Sequence, residues 1–135
     1  MFIANRAFAL FTVLISCAFS ESFPAADVKI AGDLDYGHSS PPVDCATSPR
    51  YHALVFNAHS GDRVDVTVTS EGRRAEVAIA DPSLNELASG TNHVTTVLPD
   101  RGPDVEAYYI VFRDSENKPA RFTVHLKKLA AEPSQ

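Results

Sequence analysis

Five histidines, His38, His52, His59, His93 and His125, are the residues best suited to hold a metal or move a proton. No two are spaced as HxH, and no HExxH occurs, so the spacing matches no zinc pattern. They also fall on separate segments. His52 keeps step with Leu54 and Phe56 and is expected at the edge of the core. Calcium needs about six to eight oxygens, commonly from loop carboxylates and carbonyls. Asp33 and Asp35 could contribute, with Asp44 nearby and Asp62 and Asp65 further on. No EF-hand loop or Gly-Asp repeat accompanies them, so solvated turn carboxylates are the expectation, and no metal or cofactor is assigned. Ser60 lies in no Gly-x-Ser-x-Gly elbow. Turn chemistry accounts for Ser60-Gly61-Asp62, and no catalytic residue is assigned. Tyr36, Tyr51 and Tyr109 are the binding candidates. Tyr36 falls in a loop, and the other two have outward strand parity. An outward tyrosine can stack on a sugar or anchor a protein partner.

The elements that must position these residues are strands. Leu54, Phe56 and Ala58 alternate, and so do Val64, Val66 and Val68, on either side of Ser60-Gly61-Asp62. Alternation flanking a Gly turn predicts a β-hairpin. The pattern repeats at Ala75, Val77 and Ile79, at Val94, Thr96 and Leu98, at Tyr108, Ile110 and Phe112, and at Phe122, Val124 and Leu126. Residues 28–34 make a short first strand and 86–89 a brief return strand. Tyr109 and Val111 add apolar groups to the second face of their strand, so both faces are expected to be partly covered. The stretch 36–49 is rich in Gly, Ser and Pro and reads as a loop. Asp81-Pro82-Ser83-Leu84-Asn85 reads as a tight turn. The expected fold is all-β: an antiparallel jelly-roll-like sandwich of about seven or eight strands.

Residues 1–20 read as an export signal. Arg6 supplies the positive start, and residues 7–18 form an apolar run too short for the ~20 residues of a membrane span. Ala18-Phe19-Ser20 places small residues where cleavage needs them, giving a soluble protein that starts at Glu21. Leu14-Ile15-Ser16-Cys17 resembles a relaxed lipoprotein box, which would instead anchor the chain to a membrane through lipid on Cys17. Ile15 weakens that box, so the soluble form is favoured. Residues 21–27 are expected as a flexible leader, 28–129 as one domain and 130–135 as a disordered tail. Only two cysteines occur, Cys17 and Cys45. Either processing route leaves Cys45 without a cysteine partner, so a disulfide scaffold is excluded and Cys45 reads as structurally incidental.

About 115 residues after processing suit a single domain with one core. The formal charge is −5. Removing Arg6 with the signal makes it more negative by one. That balance argues against nucleic acid, which needs clustered Lys and Arg. The short pairs Arg73-Arg74 and Lys127-Lys128 read as solvated strand ends.

The motifs in order are Gly32-Asp33-Leu34, Phe56 to Gly61, Val64 to Val68, Ala75 to Pro82, Leu87-Ala88, Tyr108-Tyr109-Ile110 and Phe122 to Leu126. This run, from Ile30 to Leu129, resembles the bacterial pre-peptidase C-terminal (PPC) domain. The resemblance implies a jelly-roll-like sandwich, usually appended to secreted peptidases. It also implies binding of collagen or polysaccharide in some members and calcium in others. Here Pro103–Ala107 separates Gly102 from Tyr108, so that loop is longer than the family pattern. The expectation is an exported, non-catalytic module, periplasmic or extracellular, that binds a protein or polysaccharide. A purely structural envelope domain and a small secreted hydrolase are the alternatives. A hydrolase would require His, Asp and Cys side chains converging in one pocket.

Overall fold

The computed structural model describes residues 22–130. The expected signal peptide, the expected lipid box at Cys17 and residues 131–135 of the expected tail lie outside the described residues. A 3-10 turn, Ala25–Asp27, leads into ten strands. These are β1 (Val28–Asp33), β2 (His38–Ser39), β3 (Val43–Cys45), β4 (Tyr51–Ala58) and β5 (Arg63–Thr69). They continue with β6 (Ala75–Ala80), β7 (Glu86–Thr91), β8 (His93–Val97), β9 (Glu106–Asp114) and β10 (Ala120–Leu129). Sheet I runs β1-β4-β9-β6-β7, and sheet II runs β2-β10-β5-β8 with β3 also on β10. The all-β sandwich is as expected. Two of the extra strands, β2 and β3, come from 36–49, read as a loop. They are two and three residues long, too short to leave an alternation.

The expected hairpin at Gly61 is a corner. β4 pairs with β1 and β9, while β5 pairs with β10 and β8, so the two strands lie in opposite sheets. Alternation reports which face of a strand is buried, not which neighbour carries its hydrogen bonds. Leu54, Phe56 and Val66 therefore face one another across the core. β1 runs parallel to β4, so the sandwich is not wholly antiparallel.

The core lies between the sheets. Phe56, Val66, Ile110 and Val124 are each at most 1% exposed in one cluster with Phe112, Phe122 and Tyr108. Cys45 belongs to this cluster at 4% exposure, so it is a packing residue rather than an incidental one. Burial, the largest cause, together with Asp44 and Asp114 pushes its thiol up to about 12.

A second, smaller cluster covers the outer face of sheet I. Ala53, Ala80 and Val111 are buried there beneath Phe23, Val28, Tyr51, Leu84 and Tyr109. The leader 22–27 crosses this face. Ser22 bridges to Asn85, the Phe23 amide donates to the Leu84 carbonyl at 2.9 Å, and the Phe23 ring meets Tyr51 edge-on at 5.1 Å.

Asp114 organises the turn after β9. Its carboxylate, 2% exposed, accepts two bonds from Arg73 at 3.0 and 2.7 Å. It also accepts the amides of Glu116 and Lys118 at 3.0 Å each. The Arg73 bond is the largest cause holding its pKa below the usual carboxylate range, outweighing the opposing effect of burial.

Candidate functional site

The turns at one end of the sandwich are cross-linked by hydrogen bonds into a rigid, exposed patch. Gly61, at φ 84°, occupies the left-handed region that the corner requires. Its amide donates to the Leu98 carbonyl at 3.0 Å, and the Leu98 amide donates to the Asp62 carbonyl at 2.9 Å. The corner is thereby stitched to the end of β8. Ser60 then pins the following loop, residues 99–105. Its hydroxyl accepts the Arg101 amide at 2.7 Å and donates to the Gly102 carbonyl at 3.0 Å. Arg101 turns back to Glu106, with Nε to Oε1 at 2.8 Å. Within the loop the Gly102 amide donates to Asp100 at 3.2 Å.

Asp62 anchors the other side of this end. One carboxylate oxygen accepts the Tyr36 hydroxyl at 2.9 Å and the His59 amide at 3.0 Å. Lys128 lies 3.5 Å from the other oxygen and also sits over the Tyr36 ring. Burial opposes the charge on Asp62, but these bonds and Lys128 outweigh it and lower its pKa. Tyr36 is shifted upward, mainly by burial and then by its bond to Asp62. Tyr36 is thus a structural tie. Beside it, the Tyr108 hydroxyl is buried without a hydrogen-bond partner.

The patch presents apolar surface where a partner could reach it. Val97, at the end of β8, and Val105, the last residue of the 99–105 loop, are 58% and 52% exposed. They and Ile30 are the exposed large hydrophobic residues among those described. A preordered loop with apolar shoulders loses little entropy on docking. Sequence reasoning marked the loop by its Gly102-Pro103 and its length. It missed the role of Ser60, which it assigned to the corner alone, because the bonded partners lie 41 and 42 residues away.

The other tyrosines lie elsewhere. Tyr51 and Tyr109 do point outward from sheet I, but both are half-buried rather than free. Tyr51 is flanked by the guanidinium groups of Arg50 and Arg113, each 5.9 Å from its ring centre, and by Phe23. A cavity of about 320 Å³ opens beside it, lined by Phe23, Glu76, Ser89 and Val111 among others. Tyr36, Tyr51 and Tyr109 therefore do not form one face.

The candidates for chemistry stay dispersed. Asp33 and Asp35 are exposed at and just beyond the end of β1. Among the described residues, no three His, Cys, Asp or Glu side chains gather as a metal site. On the outer face of sheet II, His93 meets Asp65 at 2.5 Å and Ser39 meets His125 at 2.5 Å. Thr95 donates to the same Asp65 oxygen at 2.7 Å. These pairs lie on β2, β5, β8 and β10 of sheet II, away from the 99–105 loop.

Comparison with known proteins settles the fold. No protein-family model and no curated protein matches the chain. Among solved structures, it is similar to the pre-peptidase C-terminal domain of a Bacillus anthracis collagenase. That match has 17% identity and a TM-score of 0.52, and covers 74% of this chain and 94% of that domain. The chain has a PPC-like fold. It is also similar to PliG of Aeromonas hydrophila, a periplasmic inhibitor of g-type lysozyme. The identity there is 12% and the TM-score 0.53, over 76% of this chain and 99% of that one. PliG of Salmonella Typhimurium gives 18% and 0.51, over 75% and 98%.

Proposed function

We propose that this chain is an exported, non-catalytic module that binds a protein partner through the end of the sandwich bearing the 99–105 loop. The observation that carries the reading is that loop, pinned by Ser60 and ending at exposed Val105, with exposed Val97 just before it. Val105 on a loop already held by hydrogen bonds, with Val97 at the end of β8, offers a partner apolar contacts at a low ordering cost. The PPC-like fold supports a binding role, since the neighbours of this fold include two inhibitors that act on another protein. Their target class, a g-type lysozyme, is the first partner to test, followed by proteins of the cell envelope.

The test is capture of partners from envelope extract, with a g-type lysozyme inhibition assay beside it. The wild-type chain is compared with Val97→Asp and Val105→Asp. Both positions are exposed, so both variants should melt like the wild type while losing the captured protein. Equal capture by all three chains would move the interface away from this loop. Retention on polysaccharide without any captured protein would point to a saccharide partner instead.

A further inference from the structure

The two long sides of the sandwich differ. On one side the chain passes directly from β7 of sheet I into β8 of sheet II through Asn92, at φ 63°, and the two edge strands lie in contact. On the other side β1 edges sheet I, β2 and β3 edge sheet II, and the sheets part. The opening is a cleft of about 470 Å³ lined by Lys29, His52, Leu54, Pro41, Pro42 and Val43 among others.

The chemistry of its wall is specific. Lys29 and His52 are register partners across the β1–β4 pair, so their side chains share the inward face. His52 is 3% exposed, and its Nδ1 is buried with no hydrogen-bond partner. A buried polar atom without a partner is uncommon in a folded domain and marks a place where something else supplies the contact. Burial, and then the nearby Lys29, lowers the pKa of His52. Lys29 is exposed and, among the described residues, has no carboxylate partner. Two acidic residues also border the cleft. Asp44 is engaged by Arg121 at 2.7 Å, and Asp33 pairs with Val55 on the outward row. The unmatched groups on the inward face are thus a cation and an imidazole above an apolar floor.

We propose that this cleft binds a carboxylate carried on a compact body. The carboxylate lies between the Lys29 ammonium and the His52 ring, and the carbon skeleton that bears it rests on Leu54 and Val43. Two sources carry such a group: the acidic side chain of a peptide and the uronic acid of a polysaccharide. The site is separate from the 99–105 loop, so it stands or falls independently of the protein-docking reading.

NMR titration of the full mature chain tests it. The probes are N-acetylglutamate amide and glucuronate, each beside its uncharged counterpart, N-acetylglutamine amide and glucose. At least one carboxylate probe should move the His52 ring signals saturably at about 10 mM or below, the range of a weak single-group contact. The uncharged counterparts should not. Lys29→Met, at an exposed position, should keep the fold and weaken that binding by roughly tenfold or more, as expected for loss of a hydrogen bond to a charged group. A response to the glutamate probe alone assigns the peptide source; a response to glucuronate alone assigns the saccharide. The proposal is overturned if neither carboxylate moves His52, if the uncharged probes act equally, or if Lys29→Met binds as the wild type does.

Discussion

At the scale of single residues, the polar side chains mostly hold turns. Asp62, Asp81 and Asp114 are all buried, and each collects backbone amides from the turn that it closes. Asp114 is the most heavily used, with Arg73 on both oxygens. Its folded pKa lies below that of the unfolded chain, so it stabilises the fold fully above the unfolded value of about 4. That contribution fades as pH falls through the lower folded value. Asp114→Asn should therefore lower the melting temperature at pH 7, with the gap to wild type narrowing below about pH 4. Melts over a pH series check this, and a gap that stays constant into acid would show that charge is not what Asp114 contributes. The sequence offered no sign of this role, because Arg73 and Asp114 are 41 positions apart. There Arg73, with Arg74, read as a solvated strand end.

At the scale of elements, the strands were legible and their partners were not. β5 alternates buried and half-exposed residues from Arg63 to Val68, and the alternation is plain in the chain. Where β5 goes after the Gly61 corner is a different matter. Pairing β4 with β5 in one sheet, or placing them in facing sheets, buries the same Leu54, Phe56, Val64 and Val66. The core itself makes the sharper prediction. Phe56 is 1% exposed and packs between Tyr36 and Tyr108, with ring centres 6.1 and 5.9 Å away. Phe56→Ala should cost about 3–5 kcal/mol, the transfer term plus an unfilled cavity. Chemical denaturation measures it. A near-neutral result would mean that β4 is out of register by one residue, since such a slip turns its whole apolar set outward.

At the scale of the whole molecule, one apolar cluster fills the space between the two sheets. The mature protein should melt at the same temperature with and without a chelator. A large fall on chelation would restore Asp33 and Asp35 as calcium ligands. The two processing routes expected at the N-terminus predict different molecules. Cleavage after Ser20 leaves Glu21 next to Ser22, which bridges to Asn85 on sheet I. Intact mass should give a chain beginning at Glu21, unchanged by Cys17→Ala. A lipid-modified mass beginning at Cys17, abolished by that substitution, would make the protein membrane-anchored. In that case the segment before β1 would be a tether that also packs Phe23 against Tyr51.

Fold class, strand positions, core faces and the family resemblance were all readable from residue order. They depend on local alternation and turn chemistry, which act within a few positions of the chain. The assignment of strands to sheets, the parallel β1, the covering of Tyr51 and Tyr109, the Ser60 pin on the 99–105 loop and the cleft beside His52 were not. Each is a contact between segments distant in sequence, and many pairings satisfy the same local pattern. Only packing the two sheets around one core selects among them, because one arrangement buries all the apolar faces together while leaving the backbone hydrogen bonds of the strands paired.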